Sequence, residues 1–176
     1  MYQDNSVAYD RSNGEDRAKS VLGELAAVEL DRAIAALHAF WSQLKGDARV
    51  PLRSAFSPEL LKPWLPNIVI VEAVGLRPRF RVRLAGTAVV RFAGRDFTDR
   101  FLDEVIPPEQ YEATVAPYVQ AMETGVPKED DILNHQFIAP DGVSLPVRRL
   151  VMPCSADGAA IDRFVVGLFL YRPESR

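Results

Sequence analysis

Residues 67–85, NIVIVEAVGLRPRFRVRLA, constrain this chain more than any other stretch. From about Asn67 to Ala73, the β-branched run Ile68, Val69, Ile70 and Val71 has the pattern of a short strand buried on both faces. Gly75 to Pro78 turn the chain. From about Phe80 to Ala85 the pattern becomes strict alternation, with Phe80, Val82 and Leu84 on one face and Arg79, Arg81 and Arg83 on the other. A fold that accepts this segment must cover the first strand on both sides and leave one face of the second to charge.

The flanking segments supply the covering layers. Between about Asp16 and Lys45, Leu22, Leu25, Val28, Ala33, Leu37, Phe40, Trp41 and Leu44 recur at three- and four-residue steps, as an amphipathic helix requires. Gly46 with Asp47 is its natural stop. Pro51, Pro58 and Pro63 make 47–63 a connector, with Ser57-Pro58-Glu59 opening one short helical turn. Thr87 reads as the N-cap of a helix through Phe92 that Gly94 closes. Asp99 to Val105 reads as another brief turn. Pro107-Pro108 then sets up a helix from about Glu109 to Thr124, with Tyr111, Val115, Tyr118, Val119 and Met122 as its buried stripe and Gly125 as its end. Strands follow at Asp131 to Ile138, Ser144 to Met152 and Arg163 to Tyr171, separated by turn signals at Pro140-Asp141-Gly142 and Asp157-Gly158. The last strand is too apolar for an edge and belongs mid-sheet. The whole is α+β. Residues 1–15 form a polar tail expected to be disordered, 16–46 the amphipathic helix or helices, and 47–176 the core domain.

Bulk properties exclude several functions. With 176 residues and 48% hydrophobic content, the chain fills one core and not two. A net charge of −3 gives no general attraction for nucleic acid. No stretch approaches a membrane span of ~18 apolar residues, and the N-terminal residues lack the apolar core of a secretion signal. The expected location is therefore the cytoplasm. One cysteine, Cys154, excludes an intrachain disulfide or a multi-cysteine zinc site. No phosphate loop, nucleophile elbow or HExxH spacing is present, and His38 and His135 are the only histidines. The chain is read as non-catalytic and without a metal site.

Some side chains remain candidates for binding. Arg79, Arg81 and Arg83, with Arg148 and Arg149, form the strongest polar signal. They require facing acids, for which Glu72, Asp130, Asp131 and Asp162 are available, or else Arg83 and Arg148 form a fork for an anionic small molecule or a partner's carboxylate. His135 shares a strand face with Leu133 and Phe137, so it either packs in the sheet or faces a cavity; His38 reads as a packing residue on the N-terminal helix.

The order strand, strand, helices, three strands resembles a PAS sensor domain. It is most similar to a stand-alone PAS family seen mostly in alphaproteobacteria, whose pattern runs W-x-x-L, a Pro-Arg stretch, LP-x-I, RFRVRLAGT and GRD-[LF]-T. Here these are Trp41 to Leu44, Pro51 to Arg53, Leu65 to Val71, Arg79 to Thr87 and Gly94 to Thr98, within a resemblance spanning Leu37 to Tyr171. Two positions depart from it. Asp99 stands where the family continues with glycine, and Ser54-Ala55 where an acidic residue follows Pro-Arg. The resemblance implies a five-stranded antiparallel sheet with helices on one face and the N-terminal amphipathic helix on the other. It also implies a ligand cavity whose wall draws on Phe92, Phe97, Phe101 and Tyr118, so that Arg83, Phe92, Phe101, Tyr118, His135 and Arg148 are the candidate pocket residues. No cofactor is expected. A light-oxygen-voltage flavin site would need a cysteine in the helix segment that here has none, and a haem site a histidine in Glu109 to Thr124. The function implied is a sensory module, lacking its own output domain, that binds a small ligand or a protein partner and signals through a separate protein. It would do so by changing conformation or by forming a homodimer through Leu25, Val28, Leu37 and Trp41. Beside this stand a ligand-free dimerisation or localisation adaptor, and an enzyme using the arginine face and His135 on an anionic metabolite.

Overall fold

The computed structural model describes residues 24–132, 142 and 144–173. The segment at 67–85 is a hairpin of β2 (Ile68–Val74) and β3 (Arg79–Ala85), paired from Val74 opposite Arg79 to Val69 opposite Ala85. A bulge at Arg83 shifts the register between Val71 and Ile70 and takes Leu84 off the face of Phe80 and Val82. With β4 (Lys128–Ile132), β5 (Val147–Cys154) and β6 (Arg163–Arg172), these strands make one antiparallel sheet in the order β3-β2-β6-β5-β4. The last strand is central, as its unbroken apolar run requires. One element is additional to the five-stranded expectation: Leu25–Ala26 form a two-residue β1, parallel to Tyr171–Arg172 at the end of β6.

Each face of the sheet has its own helical layer. On one side lies α1 (Ala27–Lys45), whose Leu30, Ile34, Leu37 and Trp41 pack on Ile68, Ile70, Leu150, Met152, Val165 and Phe169. The buried positions fall at i, i+4, i+7 and i+11, one stripe of a 3.6-residue helix. This corrects two residues of the expected helix. Leu25 precedes the helix and lies in β1, and Val28, two residues and ~200° away from Leu30, is 56% exposed. The Trp41 indole Nε1 donates to the buried Pro153 carbonyl at 2.8 Å. Gly167 lets α1 approach so closely, because a Cβ there would come within 2.8 Å of Leu37 Cδ2.

The opposite face carries the helices between β3 and β4. After α2 (Pro58–Leu61), capped by Ser57, these are α3 (Thr87–Ala93), α4 (Leu102–Val105) and α5 (Pro108–Thr124). Val89, Leu102, Tyr118 and Ala121 bury Val69, Val71, Phe80, Val82, Val151, Phe164 and Val166. The α3 cap differs from the sequence reading by one residue, with Gly86 at the N-cap and Thr87 inside the helix. Packing decides it, since a Cβ at Gly86 would lie 2.3 Å from the Pro66 carbonyl oxygen. Helix α5 continues through Pro117, which has no N–H to offer the preceding turn.

Both sheet edges are managed. The segment after α3 runs along β3, with Asp99 N–H donating to Val82 O at 2.7 Å and Val82 N–H to Arg100 O at 2.9 Å. At the other edge, β4 reads Lys-Glu-Asp-Asp-Ile, a charged edge of the kind that resists further pairing. The strand expected from Asp131 thus begins earlier, at Lys128, with Asp130 and Asp131 in register opposite Arg149 and Arg148; its residues after Ile132 lie outside the described ones. Leu133, His135 and Phe137, with the tail and the early helical extension up to residue 23, lie outside the described residues.

Candidate functional site

Between the sheet and the helices α3, α4 and α5 lies a cavity of ≈ 210 Å³. Its floor is Ile132 of β4, Val147 of β5 and Leu168 of β6, and its walls include Val89, Phe92 and Ala93 of α3 and the turn Val105-Ile106-Pro107. Phe97 closes one side. Polar groups come from Arg95, Gln110 and Thr114 alone. An apolar chamber with a few polar groups is the general form of a small-molecule site.

Of the residues singled out from the sequence, Phe92 lines this cavity, as does Phe97. The structure does not bring the others into it. Tyr118 is 4% exposed and sits deeper in the core, 5.2 Å from the ring centres of Phe80 and Phe164. Phe101 lies on the outer edge of β3, opposite Arg81, with the Arg79 guanidinium 3.9 Å over its ring. Arg83 is on the exposed face of β3, where it donates to Asp99 at 3.0 Å. Arg148 points to the α1 side of the sheet, since it shares parity with Leu150 and Met152. There it bonds Asp131 at 2.6 Å and Glu129 at 2.8 Å, so its guanidinium pKa is raised, chiefly by Asp131. A fork of Arg83 and Arg148 is therefore not assembled: the two lie on β3 and β5, with β2 and β6 between them in the sheet. His135 is outside the described residues.

The arginine under the helices is Arg149, which reaches the opposite face from its neighbour by the alternation of a strand. It is 2% exposed. Its Nε and Nη2 grip Asp130 at 2.7 and 2.6 Å, its Nη1 donates to the Thr114 carbonyl at 2.7 Å, and its guanidinium lies 5.5 Å over Tyr118. Burial opposes the charge, but the Asp130 hydrogen bonds and Tyr118 outweigh it, and the pKa is raised. Burial likewise pushes the Tyr118 phenol up, with Arg149 partly opposing. This cluster ties α5 to β4 and β5, and Thr114 joins it to the cavity wall.

The four acids proposed as partners from the sequence all meet arginines. Glu72, 7% exposed, receives Arg81 and lies 3.5 Å from Arg163, and Asp162 pairs Arg163 at 3.1 Å. Asp130 and Asp131 take Arg149 and Arg148. Asp99 adopts φ 63, the left-handed conformation for which glycine is the usual residue. Its departure from the family pattern therefore preserves the loop geometry while adding a carboxylate for Arg83.

Three further observations bound the chemistry. Cys154 is buried against α1, on the face opposite the cavity, and burial pushes its thiol up to about 12. His38 is exposed on α1, its ring 6.2 Å from that of Trp41. Among the described residues, no cluster of histidine, cysteine or acid is placed to hold a metal ion, and no helix is long and apolar enough to cross a membrane.

The family described as "PAS domain" matches residues 30–169, from the first turn of α1 into β6. This chain belongs to the PAS domain family. No curated protein matches it. Among solved structures, the Rhodobacter sphaeroides LOV protein is similar at 14% identity and TM-score 0.43, over 58% of this chain and 57% of that one. An RNA-binding light-oxygen-voltage receptor is similar at 16% identity and TM-score 0.42, over 68% of this chain and 34% of that one. This PAS domain thus spans little more than half of the first protein and a third of the second.

The sequence reading missed most of the cavity of this PAS domain. Val147 and Leu168 were visible as strand residues, but their facing could be read only from the register of β5 and β6. Arg95 follows a helix stop in an irregular loop, where no periodicity assigns a direction. The signal available for it was chemical: unlike Arg148 and Arg149, it has no acid facing it across a strand.

Proposed function

We propose that this PAS domain is a non-catalytic sensory module whose signal is the occupancy of the cavity under α3 and α5 by a small ligand. The observation that carries the reading is the chamber of ≈ 210 Å³ with its apolar floor and three polar groups. Its size restricts the occupant. Sites for drug-sized ligands run to ~300–1,000 Å³, whereas an apolar cavity of ~150 Å³ accepts one benzene ring. A single ring or a short chain fits, and a macrocycle does not.

Occupancy has a physical route to the opposite surface. In β5 and β6, Val147 and Leu168 face the cavity, while Leu150 and Phe169 of the same strands pack on α1. A ligand that binds one arrangement of this sheet better than another shifts the population of both faces. We assign α1 as the element read by a second protein or a second copy of this chain. Leu37 and Trp41 are 0% and 4% exposed, so a dimer through them requires α1 to leave its own sheet; Val28 is the outward apolar residue at its start.

A thermal-shift screen of one-ring and short-chain compounds tests this. A dose-dependent rise in Tm, lost in Ala93→Phe, which fills the chamber, is the expected result. A rise that persists unchanged in that variant, with its unliganded Tm intact, would place the ligand elsewhere and refute the reading.

A further inference from the structure

We propose that the ligand of this cavity is a carboxylate with a compact apolar body, and that Arg95 binds its head group. The inference rests on the sensory reading above and names the ligand class. Arg95 is fastened to the cavity wall at two points: its Nη2 donates to the Val105 carbonyl at 2.8 Å, and its guanidinium lies 4.9 Å over the Phe97 ring. Val105 and Phe97 both line the chamber, as Arg95 itself does. The head of the side chain is thereby held at the rim, and stacking on Phe97 limits its freedom before any ligand arrives.

The charge on this group is unmatched. The arginines of the sheet are neutralised: Arg81 and Arg163 by Glu72, Arg148 by Asp131 and Arg149 by Asp130. Among the described residues, no carboxylate pairs with Arg95, whose one hydrogen bond goes to a neutral carbonyl. A guanidinium has five N–H donors in a planar fork that suits a carboxylate. Gln110 and Thr114 add neutral polar groups to the same chamber, and no acidic residue lines it. An anionic head at Arg95 with its apolar body against Val147, Ile132 and Leu168 satisfies both halves of the site. A cation would meet like charge, and a wholly neutral ligand would leave the fork unused.

Titration calorimetry on the full chain with 3-phenylpropanoate and its primary amide, which differ only in the charge of the head, is the test. One charge-assisted hydrogen-bonded pair predicts about tenfold tighter binding of the acid, with the preference shrinking as salt is added because Arg95 is exposed. Arg95→Gln should abolish the preference and Arg95→Lys retain part of it, while Arg83→Gln and Arg148→Gln leave it unchanged. Equal binding of acid and amide, or a preference that survives Arg95→Gln, overturns the assignment but leaves a ligand-binding cavity standing. If neither compound binds, the assignment falls, and the cavity reading falls with it when the thermal-shift screen of one-ring and short-chain compounds also gives no rise in Tm.

Discussion

The buried pair of Arg149 and Asp130 makes an unequal prediction for its two partners. Side-chain exposure is 2% for Arg149 and 33% for Asp130. Asp130→Ala strips the counterion from a guanidinium that water cannot reach, leaving it only neutral partners, the Thr114 carbonyl and Tyr118. Breaking a buried pair this way costs ~3–5 kcal/mol. Arg149→Met keeps the apolar stem over Tyr118 and leaves a carboxylate at the sheet edge that can turn to solvent. The Thr114 carbonyl retains its place in the α5 ladder. The loss is then that of a charged hydrogen bond partly offset by hydration, ~1.5–2 kcal/mol. The double variant should fall near Arg149→Met alone, since the stranded cation is gone, and the cycle should show a coupling about as large as the Asp130→Ala loss itself, ~3–5 kcal/mol. Urea unfolding followed by circular dichroism, with the slope checked for constancy, measures all three. Arg149→Met costing as much as Asp130→Ala, or a strictly additive double variant, would refute the claim that unequal desolvation governs this pair.

Gly86→Ala should destabilise by ~3 kcal/mol in the same urea assay, because the new methyl would stand 2.3 Å from the backbone oxygen of Pro66, which cannot yield as a side chain does. At Asp99, held at φ 63, Val should cost ~1–2 kcal/mol for the left-handed backbone. Asp99→Gly should be nearly neutral, gaining backbone freedom and losing an exposed pair with Arg83. Cys154 should resist a thiol-labelling reagent at pH 8 in the folded chain and react fully in denaturant. Its folded pKa of about 12 lies above the unfolded 9.0. The stability it contributes is thus complete below pH 9 and lost as pH rises toward 12. Between pH 8 and 10 the native chain should lose about 1.4 kcal/mol relative to Cys154→Ala.

The fold was legible wherever a period persisted over several residues. The β-branched run at 68–71, the alternation at 79–85 and the apolar strand from Arg163 announced a sheet with its last strand inside, and Gly46, Gly94 and Gly125 each end the helix they follow. The phase of α1 was harder. Its true stripe begins at Leu30, and the sequence pattern joined Leu25 and Val28 to it because three- and four-residue steps can be strung through either set. Only the sheet decides between them, by accepting Leu37 over Gly167. The charged edge strand escaped for a different reason. Lys-Glu-Asp-Asp-Ile has no β-branched residue before its last position, so intrinsic propensity argues against a strand that is made by its pairing with Arg148 and Arg149.

The site was less legible than the fold because it depends on parity and on a loop. Arg148 and Arg149 are one residue apart, and alternation sends them to opposite faces: one to the open flank of α1, the other under α5. A sequence shows that two arginines are adjacent without showing which faces the helices, since Val147 and Leu150 are both apolar and mark both faces as buried. Aromatic rings posed the same difficulty. Phe92, Phe97, Phe101 and Tyr118 are chemically near-equivalent, yet two line the chamber, one fills the core behind it and one shields the edge of β3 beneath Arg79. Charge balance discriminates better than ring count. Once the acids are assigned across the strands, Arg95 stands without a facing acid beside an apolar chamber, and the residue least visible to periodicity becomes the one on which the proposed ligand class is tested.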